Sequence, residues 1–371
     1  MTRLLTRGAF CAGALTAAAL WACESAPVPR GASLADVAPA FETEPVGTPG
    51  DAADDVAIRV DPNDPARTLI LATDKQGFLL AYTMDGREAF RTRGRVNNVD
   101  VLTGVRLSKG ERDLAIASDR DGNRLVVYEI GARGFIAAHA RDIVVEGGSV
   151  YGLCAMRSDT SGEAYVFVTT TSDDVQQWRL SVEGDRIDAA LVRRFSVGGH
   201  AEGMVVDTAQ NALFLAEEDV GIWRYVAEPG WLLTGRAKGH EEMSASESGA
   251  RTLIAQVGRD ALAADVEGLA IYPTEGGGGY LLAASQGDST FAVFERRAPH
   301  AYLGSFRVVE SNGIDGVSAT DGIDATHVAI GERFPLGILV VQDDANDGAN
   351  QNFKVIDWRE VEAALVGMSS R

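Results

Sequence analysis

The sequence predicts an all-β protein, a six-bladed β-propeller, and three observations carry that expectation. One repeat recurs six times along the 371 residues. Each copy is built from short apolar runs separated by turn residues. Polar groups punctuate every copy at the same two places. The copies are VAIRVDPNDPARTLILATDKQGFLLAYTMDG from Val56, NVDVLTGVRLSKGERDLAIASDRDGNRLVVYEI from Asn98 and VYGLCAMRSDTSGEAYVFVTTTSDDVQQWRL from Val150. Three more follow: AEGMVVDTAQNALFLAEEDVGIWRYV from Ala201, DVEGLAIYPTEGGGGYLLAASQGDSTFAVFER from Asp265, and DGIDATHVAIGERFPLGILVVQDD with its sequel QNFKVIDW from Asp321.

Within a copy, a first strand such as VAIRV or EGMVV passes through a turn into a second, TLILAT, DLAIAS, AYVFVT, ALFLAE, YLLAAS or GILVVQ. A third follows in FLLAYTM, RLVVYEI, GIWRYV and FAVFER. The 41 glycines suit the many tight turns this requires. Six similar units closing on one axis make a single domain, and closure leaves no long sheet edge if a segment near residues 41–48 completes the last blade. A monomer is expected.

Ahead of the repeats, residues 1–23 read as an export signal: Arg3 and Arg7, an apolar run from Ala9 to Trp21, and small residues before a cysteine. Leu20-Trp21-Ala22-Cys23 resembles a bacterial lipobox, although Trp21 fits it poorly. The chain is therefore expected outside the cytoplasm, either as a periplasmic or outer-membrane lipoprotein, with a lipid anchor as its only membrane contact, or as a secreted protein cut near Ala22. Residues 24–40 read as a linker rich in Pro, Ala and Ser, and 41–371 as the propeller domain. Cys11 and Cys23 fall in the signal, which leaves Cys154 alone in an apolar run, a core residue rather than half of a disulfide.

Charge narrows the chemistry. With 53 acidic and 34 basic residues the net charge is −19, which disfavours nucleic acid and suggests cation binding. Successive antiparallel strands reverse direction, so the start of each first strand and the end of each second strand reach one mouth of the propeller. The second strands end in Thr73-Asp74-Lys75, Ser118-Asp119-Arg120, Thr169-Thr170-Thr171, Glu217-Glu218-Asp219, Ser285-Gln286 and Gln342-Asp343-Asp344. The first strands open on Asp54-Asp55, Asn97 to Asp100, Tyr151, Glu202, Asp265 with Glu267, and Asp321. Any one of these acids alone is ordinary solvated surface. Converging carboxylates, however, repel one another unless cations sit between them. Oxygen donors without a His or Cys cluster point to Ca²⁺. The five histidines are scattered, so zinc is not expected; there is no G-x-S-x-G elbow or P-loop, and Gly276–Gly279 reads as a hairpin turn.

These residues resemble the β-propeller phytases, calcium-dependent phosphatases acting on inositol hexakisphosphate (phytate). The resemblance runs from about Glu42 to Glu362 and rests on ETEPVGTPGDAADD, ATDKQG, NNVDV, AEGMVVD, LFLAEEDVGIWRY, DVEGLAIYP, LLAASQGDS, TDGID, and VVQDD followed by NQNFKVIDW. It implies a 3-phytase with several bound Ca²⁺, acting on phytate presented as its calcium complex. It implies a cleavage site whose calcium ions are bridged by Glu42, Asp55, Glu202, Glu218, Glu267 and Asp321, with Glu202, Glu218, Glu267 and Asp321 as the catalytic acids. Lys75, Arg120 and Tyr151 match the residues that hold substrate phosphates. Asp265 and Gln286 join Glu202 and Glu267 in a channel-calcium motif, Asp315, Gly316 and Asp343 match a structural calcium site, and Asp55 with the carbonyls of Val56 and Val99 matches another. Gln76 and Thr171 stand where lysines are found in some members, Arg59 replaces an aromatic, and Ala345 replaces an acidic ligand for which Asp344 or Asp347 could substitute. The competing readings are a non-enzymatic, calcium-stabilised exported propeller whose face binds a ligand or protein, and a calcium-dependent lactonase or phosphotriesterase. The basic residues at the mouth favour a polyanionic substrate.

Overall fold

In a computed structural model of the chain, residues 34–61, 64–131, 136–230, 250–259 and 261–369 are described. The expected export signal and the first part of the expected linker lie outside them. Six sheets form the blades of a β-propeller. Blade 1 comprises β3 (Ala53–Arg59), β4 (Leu69–Asp74), β5 (Phe78–Thr83) and β6 (Glu88–Arg93). Blade 2 holds β7 (Val96–Leu107), β8 (Gly110–Asp119), β9 (Arg124–Ile130) and β10 (Ile136–Val144), and blade 3 holds β11 (Val150–Arg157), β12 (Ala164–Thr170), β13 (Asp174–Glu183) and β14 (Arg186–Ser196). Blade 4 holds β15 (Ala201–Asp207), β16 (Ala212–Glu217), β17 (Gly221–Val226) and β18 (Arg251–Gln256). Blade 5 holds β19 (Val266–Pro273), β20 (Gly279–Ser285), β21 (Thr290–Glu295) and β22 (Tyr302–Val308), and blade 6 holds β23 (Ile323–Thr326), β24 (Ile338–Asp343) and β25 (Asn352–Asp357).

Two N-terminal strands finish the ring. As expected, β2 (Phe41–Glu42) is the outer strand of blade 6, pairing with β25, and the amides of Thr43 and Val46 extend the ladder to Phe353 and Gln351. Unexpectedly, β1 (Leu34–Val37) lies within the segment read as a linker and adds in parallel to β22 of blade 5. Composition alone suggested a tether there, but Val37 is buried and its carbonyl accepts from Val309. A C-terminal helix, α1 (Trp358–Ser369), closes over this seam, with Trp358 stacked on Tyr272 at 3.4 Å between ring centroids.

The second strands read as continuous apolar runs because both of their faces are buried. In β4, Leu69 and Leu71 pack toward blade 2 while Ile70 and Ala72 pack toward blade 6, the period-2 alternation serving two cores at once. One such apolar cluster fills each of the six seams between neighbouring blades. Cys154 is buried in the seam between blades 3 and 4, a core residue as expected. The innermost strands touch in the cyclic order β3, β7, β11, β15, β19, β23 and back to β3, so whatever opens these strands faces the axis.

Candidate active site at the mouth of the channel

A bulge repeated at the start of the inner strands aims the site. The ladder shifts register between Ala53 and Val56, Val96 and Val99, Val150 and Leu153, Ala201 and Met204, and Val266 and Leu269. The extra residue turns one side chain of each strand toward the mouth. Aligning the shifts gives an inner ring of Asp54, Asn97, Tyr151, Glu202, Glu267 and, by its position ahead of β23, Asp321. The next residue in four of the blades is glycine, and space requires it. A Cβ on Gly152 would lie 1.9 Å from the Glu202 carbonyl oxygen, and one on Gly203 would lie 2.0 Å from that of Glu267. Buried hydroxyls at the ends of the second strands hold the bulge: Thr73, Ser118 and Thr169 accept from the amides of Asp55, Asn98 and Gly152.

A second ring sits on the rim. The amides of Lys75, Arg120, Thr171, Glu218 and Gln286 donate to the carbonyls of Ala52, Arg95, Ser149, His200 and Asp265, the same rung in five blades. The expected convergence of first-strand starts and second-strand ends is therefore present. Oxygens of Glu202, Glu218 and Glu267 come within 4.8 Å of one another. Asp321 accepts from Gln286 and lies 3.3 Å from the Lys75 ammonium, which also contacts Asp54 at 3.3 Å and Asp51 at 2.7 Å. Arg120 lies 5.3 Å above the Tyr151 ring.

One sequence assignment shifts by a residue. Asp55 was grouped with the mouth acids, but Asp54 holds the ring position. Asp55 points one step deeper, where it accepts from the Val99 amide, and lines with Val56, Val99, Asp100 and Asp324 a channel cavity of about 190 Å³. Asp100 accepts from Val101 and Ala155, and Asp324 from Ala325 and Ile58, so these deep carboxylates bind the backbones of neighbouring blades. Asn97, placed by the sequence among the residues that open the first strands but given no role there, donates to Glu202. The pairs Tyr151-Gly152, Glu202-Gly203, Glu267-Gly268 and Asp321-Gly322 carried the missing signal, because Asp54-Asp55 aligns with them.

Electrostatics make the mouth incomplete by itself. Among the described residues, Asp54 Oδ2, Glu218 Oε1 and Glu267 Oε2 are buried with no hydrogen-bond partner. Burial, reinforced by the neighbouring acids, holds Asp54 and Glu267 well above the usual carboxylate range. Burial raises Glu202 to about 7 against the opposing hydrogen bond from Tyr151. Burial and the Glu202 charge keep Tyr151 a neutral phenol. Lys75 keeps its charge: burial opposes it, but Asp54 and Asp321 raise its pKa further than burial lowers it. Orphaned, crowded carboxylate oxygens, more than Lys75 alone can pair with, are the donor set of a hard divalent ion, and the fit to calcium is good.

The implied structural sites fit differently. Glu42, implied for the cleavage site, lies instead with Asp315 and Asp343 of the implied structural site, and the three converge on the fully buried ammonium of Lys354, with Asn346 at 3.1 Å and Asn352 at 3.0 Å completing its shell. A cation built into the chain thus already occupies that centre. Gly316 follows Asp315 in the loop that approaches Val308. Asp265 stands on the rim beside Gln286, whose amide it binds.

Comparison with known proteins agrees with this geometry. The pattern of the Phytase family matches residues 2–370. The chain is 34% identical over 333 residues to a 3-phytase of Bacillus subtilis (strain 168), covering 86% of this chain and 83% of that one. Among solved structures, BBS1N in complex with ARL6DN aligns with a TM-score of 0.47 at 10% identity, over 87% of this chain and 97% of the other. The WD40 β-propeller domain of Doa1 gives 0.45 at 9% identity, over 81% and 77%. Likeness at that distance says nothing about chemistry. The match over nearly the whole chain does: this six-bladed propeller belongs to the phytase family and is an enzyme of that family.

Proposed function

We propose that the protein is a calcium-dependent phosphomonoester hydrolase that releases phosphate from phytate, with water as the nucleophile and no phosphoenzyme. The observation that carries this reading is the orphaned set Asp54 Oδ2, Glu218 Oε1 and Glu267 Oε2 beside a charged Lys75. Glu202, Glu218 and Glu267, with Asp54 and Asp321, would hold calcium at the mouth. When bound, calcium supplies positive charge to an acid-lined site and acidifies water for attack on phosphorus. Lys75, its charge fixed by Asp54 and Asp321, and Arg120 then act as phosphate clamps. Tyr151, protonated between Glu202 and the Arg120 face, donates to a phosphate oxygen and keeps its ring as a wall of the mouth. The substrate reaches this mouth as calcium phytate, since two sets of like charges otherwise repel. The Arg3, Arg7 and Ala9–Trp21 pattern supports an exported enzyme. Phosphate release from phytate and from p-nitrophenyl phosphate, with calcium or with excess chelator, tests the reading. Release from phytate that needs calcium is expected; undiminished release in chelator by folded protein overturns it.

A further inference from the structure

We infer that Arg95 is a further phosphate-binding residue on the rim of the mouth, one that grips a phosphate beside the one being cleaved and so favours substrates that carry several. The inference rests on the reading of the mouth as a phytate site and adds a specificity residue to it. Arg95 lies in the link between β6 of blade 1 and β7 of blade 2. Hydrogen bonds on both sides fix its backbone: the Arg120 amide donates to its carbonyl at 2.9 Å, and the amide of the preceding Gly94 donates to the Gly77 carbonyl at 3.1 Å. Arg95 therefore stands between the turn that carries Lys75 and the turn that carries Arg120.

The same rung in other blades shows what is unusual about this residue. The position two residues ahead of the inner ring is held by Ala52, Arg95, Ser149, His200 and Asp265. Among these five, only Arg95 carries a positive charge at every working pH. With Lys75 and Arg120 it makes an arc of three cations over blades 1 and 2. Across the ring, blades 4 and 5 carry Glu218, Asp219 and Asp265 on the rim. A ring of several phosphates that sets one of them among those acids and their proposed calcium has others left to face the basic arc, where opposite charge receives them.

Within the arc, Arg95 is the cation most available to a ligand. Lys75 is held by Asp51, Asp54 and Asp321, and Arg120 lies half-buried over the Tyr151 ring. The Arg95 side chain is 45% exposed, and its ion pair with Asp121, itself 64% exposed, is 3.4 Å long. A pair of this length between exposed groups is worth little in water. A phosphate offers the guanidinium a bidentate set of oxygens and more charge than one carboxylate, so it displaces Asp121. The Arg95 backbone, not its side chain, carries the rung, and substitution of the side chain leaves the blade intact.

Calorimetric binding of myo-inositol hexakissulfate to the calcium-loaded protein tests the inference apart from hydrolysis, because this ring carries six anions and no phosphate to release. Arg95→Gln is expected to weaken binding at least about fivefold, and Asp121→Asn, which removes the competing carboxylate, to bind at least as tightly as the wild type. Arg186→Gln removes the same charge at the start of β14, on the face away from the mouth, and should bind as the wild type does. In phosphate release, Arg95→Gln should lower kcat/KM for phytate at least about fivefold more than for p-nitrophenyl phosphate, whose single phosphate leaves the rim empty. No hexakissulfate binding by the wild type, unchanged binding in Arg95→Gln, weaker binding in Asp121→Asn, an equal loss in Arg186→Gln, or an equal fall in kcat/KM on both substrates overturns the inference. Absence of phytate hydrolysis by the wild type would overturn the proposed function instead, and the binding arm would still decide the role of Arg95.

Discussion

Glu218 and Glu267 each leave one carboxylate oxygen without a partner in a buried setting, an arrangement that costs stability unless a ligand repays it. Replacing either by alanine should therefore keep the fold and lower phytate hydrolysis by at least about 100-fold, since even outer-shell partners of metals are worth 10–100-fold. Phosphate-release kinetics beside a circular-dichroism melt check this; wild-type rates in a folded variant remove that residue from the mechanism. Glycine at the next position is a separate, structural demand. Gly203→Ala places a Cβ 2.0 Å from the Glu267 carbonyl oxygen, where only backbone could move aside. A loss of roughly 3 kcal/mol in a urea melt is expected. At this scale the sequence was legible for the acids that open the inner strands, and it failed where a bulge decides which of two adjacent acids faces the mouth. Strand alternation cannot distinguish Asp54 from Asp55; the register shift between Ala53 and Val56 does.

At the scale of elements, the closing blade is held by a charge cluster as well as a ladder. β2 brings Glu42 to β25, where the Lys354 ammonium, 0% exposed, binds Glu42, Asp315 and Asp343. Removing that cation leaves three carboxylates facing one another, Asp343 fully buried and Glu42 at the exposed edge. Lys354→Met should cost about 3–5 kcal/mol in a denaturant melt. Added calcium should recover part of the loss, because the vacated centre then offers only oxygen donors. A variant as stable as the wild type without calcium would show that Lys354 does not tie the closure. Lys354 was hidden in the apolar run NFKVID, where a lysine reads as an outward-facing strand residue. β1 was hidden for the converse reason: the Pro- and Ala-rich stretch around it resembles a tether, and only pairing with the distant β22 makes LADV a strand. The second strands, buried on both faces, left no such ambiguity and were read correctly throughout.

For the whole molecule, acids gathered on one axis couple stability to both pH and metal. Burial raises Glu202 and Asp324 to about 7 and Asp100 to about 6, above the ordinary values of 4.5, 3.8 and 3.8. Between those ordinary values and about 7, the native state holds protons that the unfolded chain has released. The slope of unfolding free energy with pH is then negative, so the metal-free propeller loses stability as pH rises through this window. The net charge of −19 adds self-repulsion in the same direction. Calcium bound as proposed would reverse the trend at the mouth, since it would bind the deprotonated carboxylates of the assembled blades and not the unfolded chain. Thermal melts from pH 5 to pH 8 should show the melting temperature falling with pH in chelator and falling far less in calcium. The gap between the two curves should open near pH 7, where Glu202 gives up its proton, and not near pH 4, where an exposed carboxylate would. A metal-free melting temperature that rises across the window would mean that the axial acids are ionised without cost, and a gap already full at pH 5 would mean that calcium is held by groups other than these.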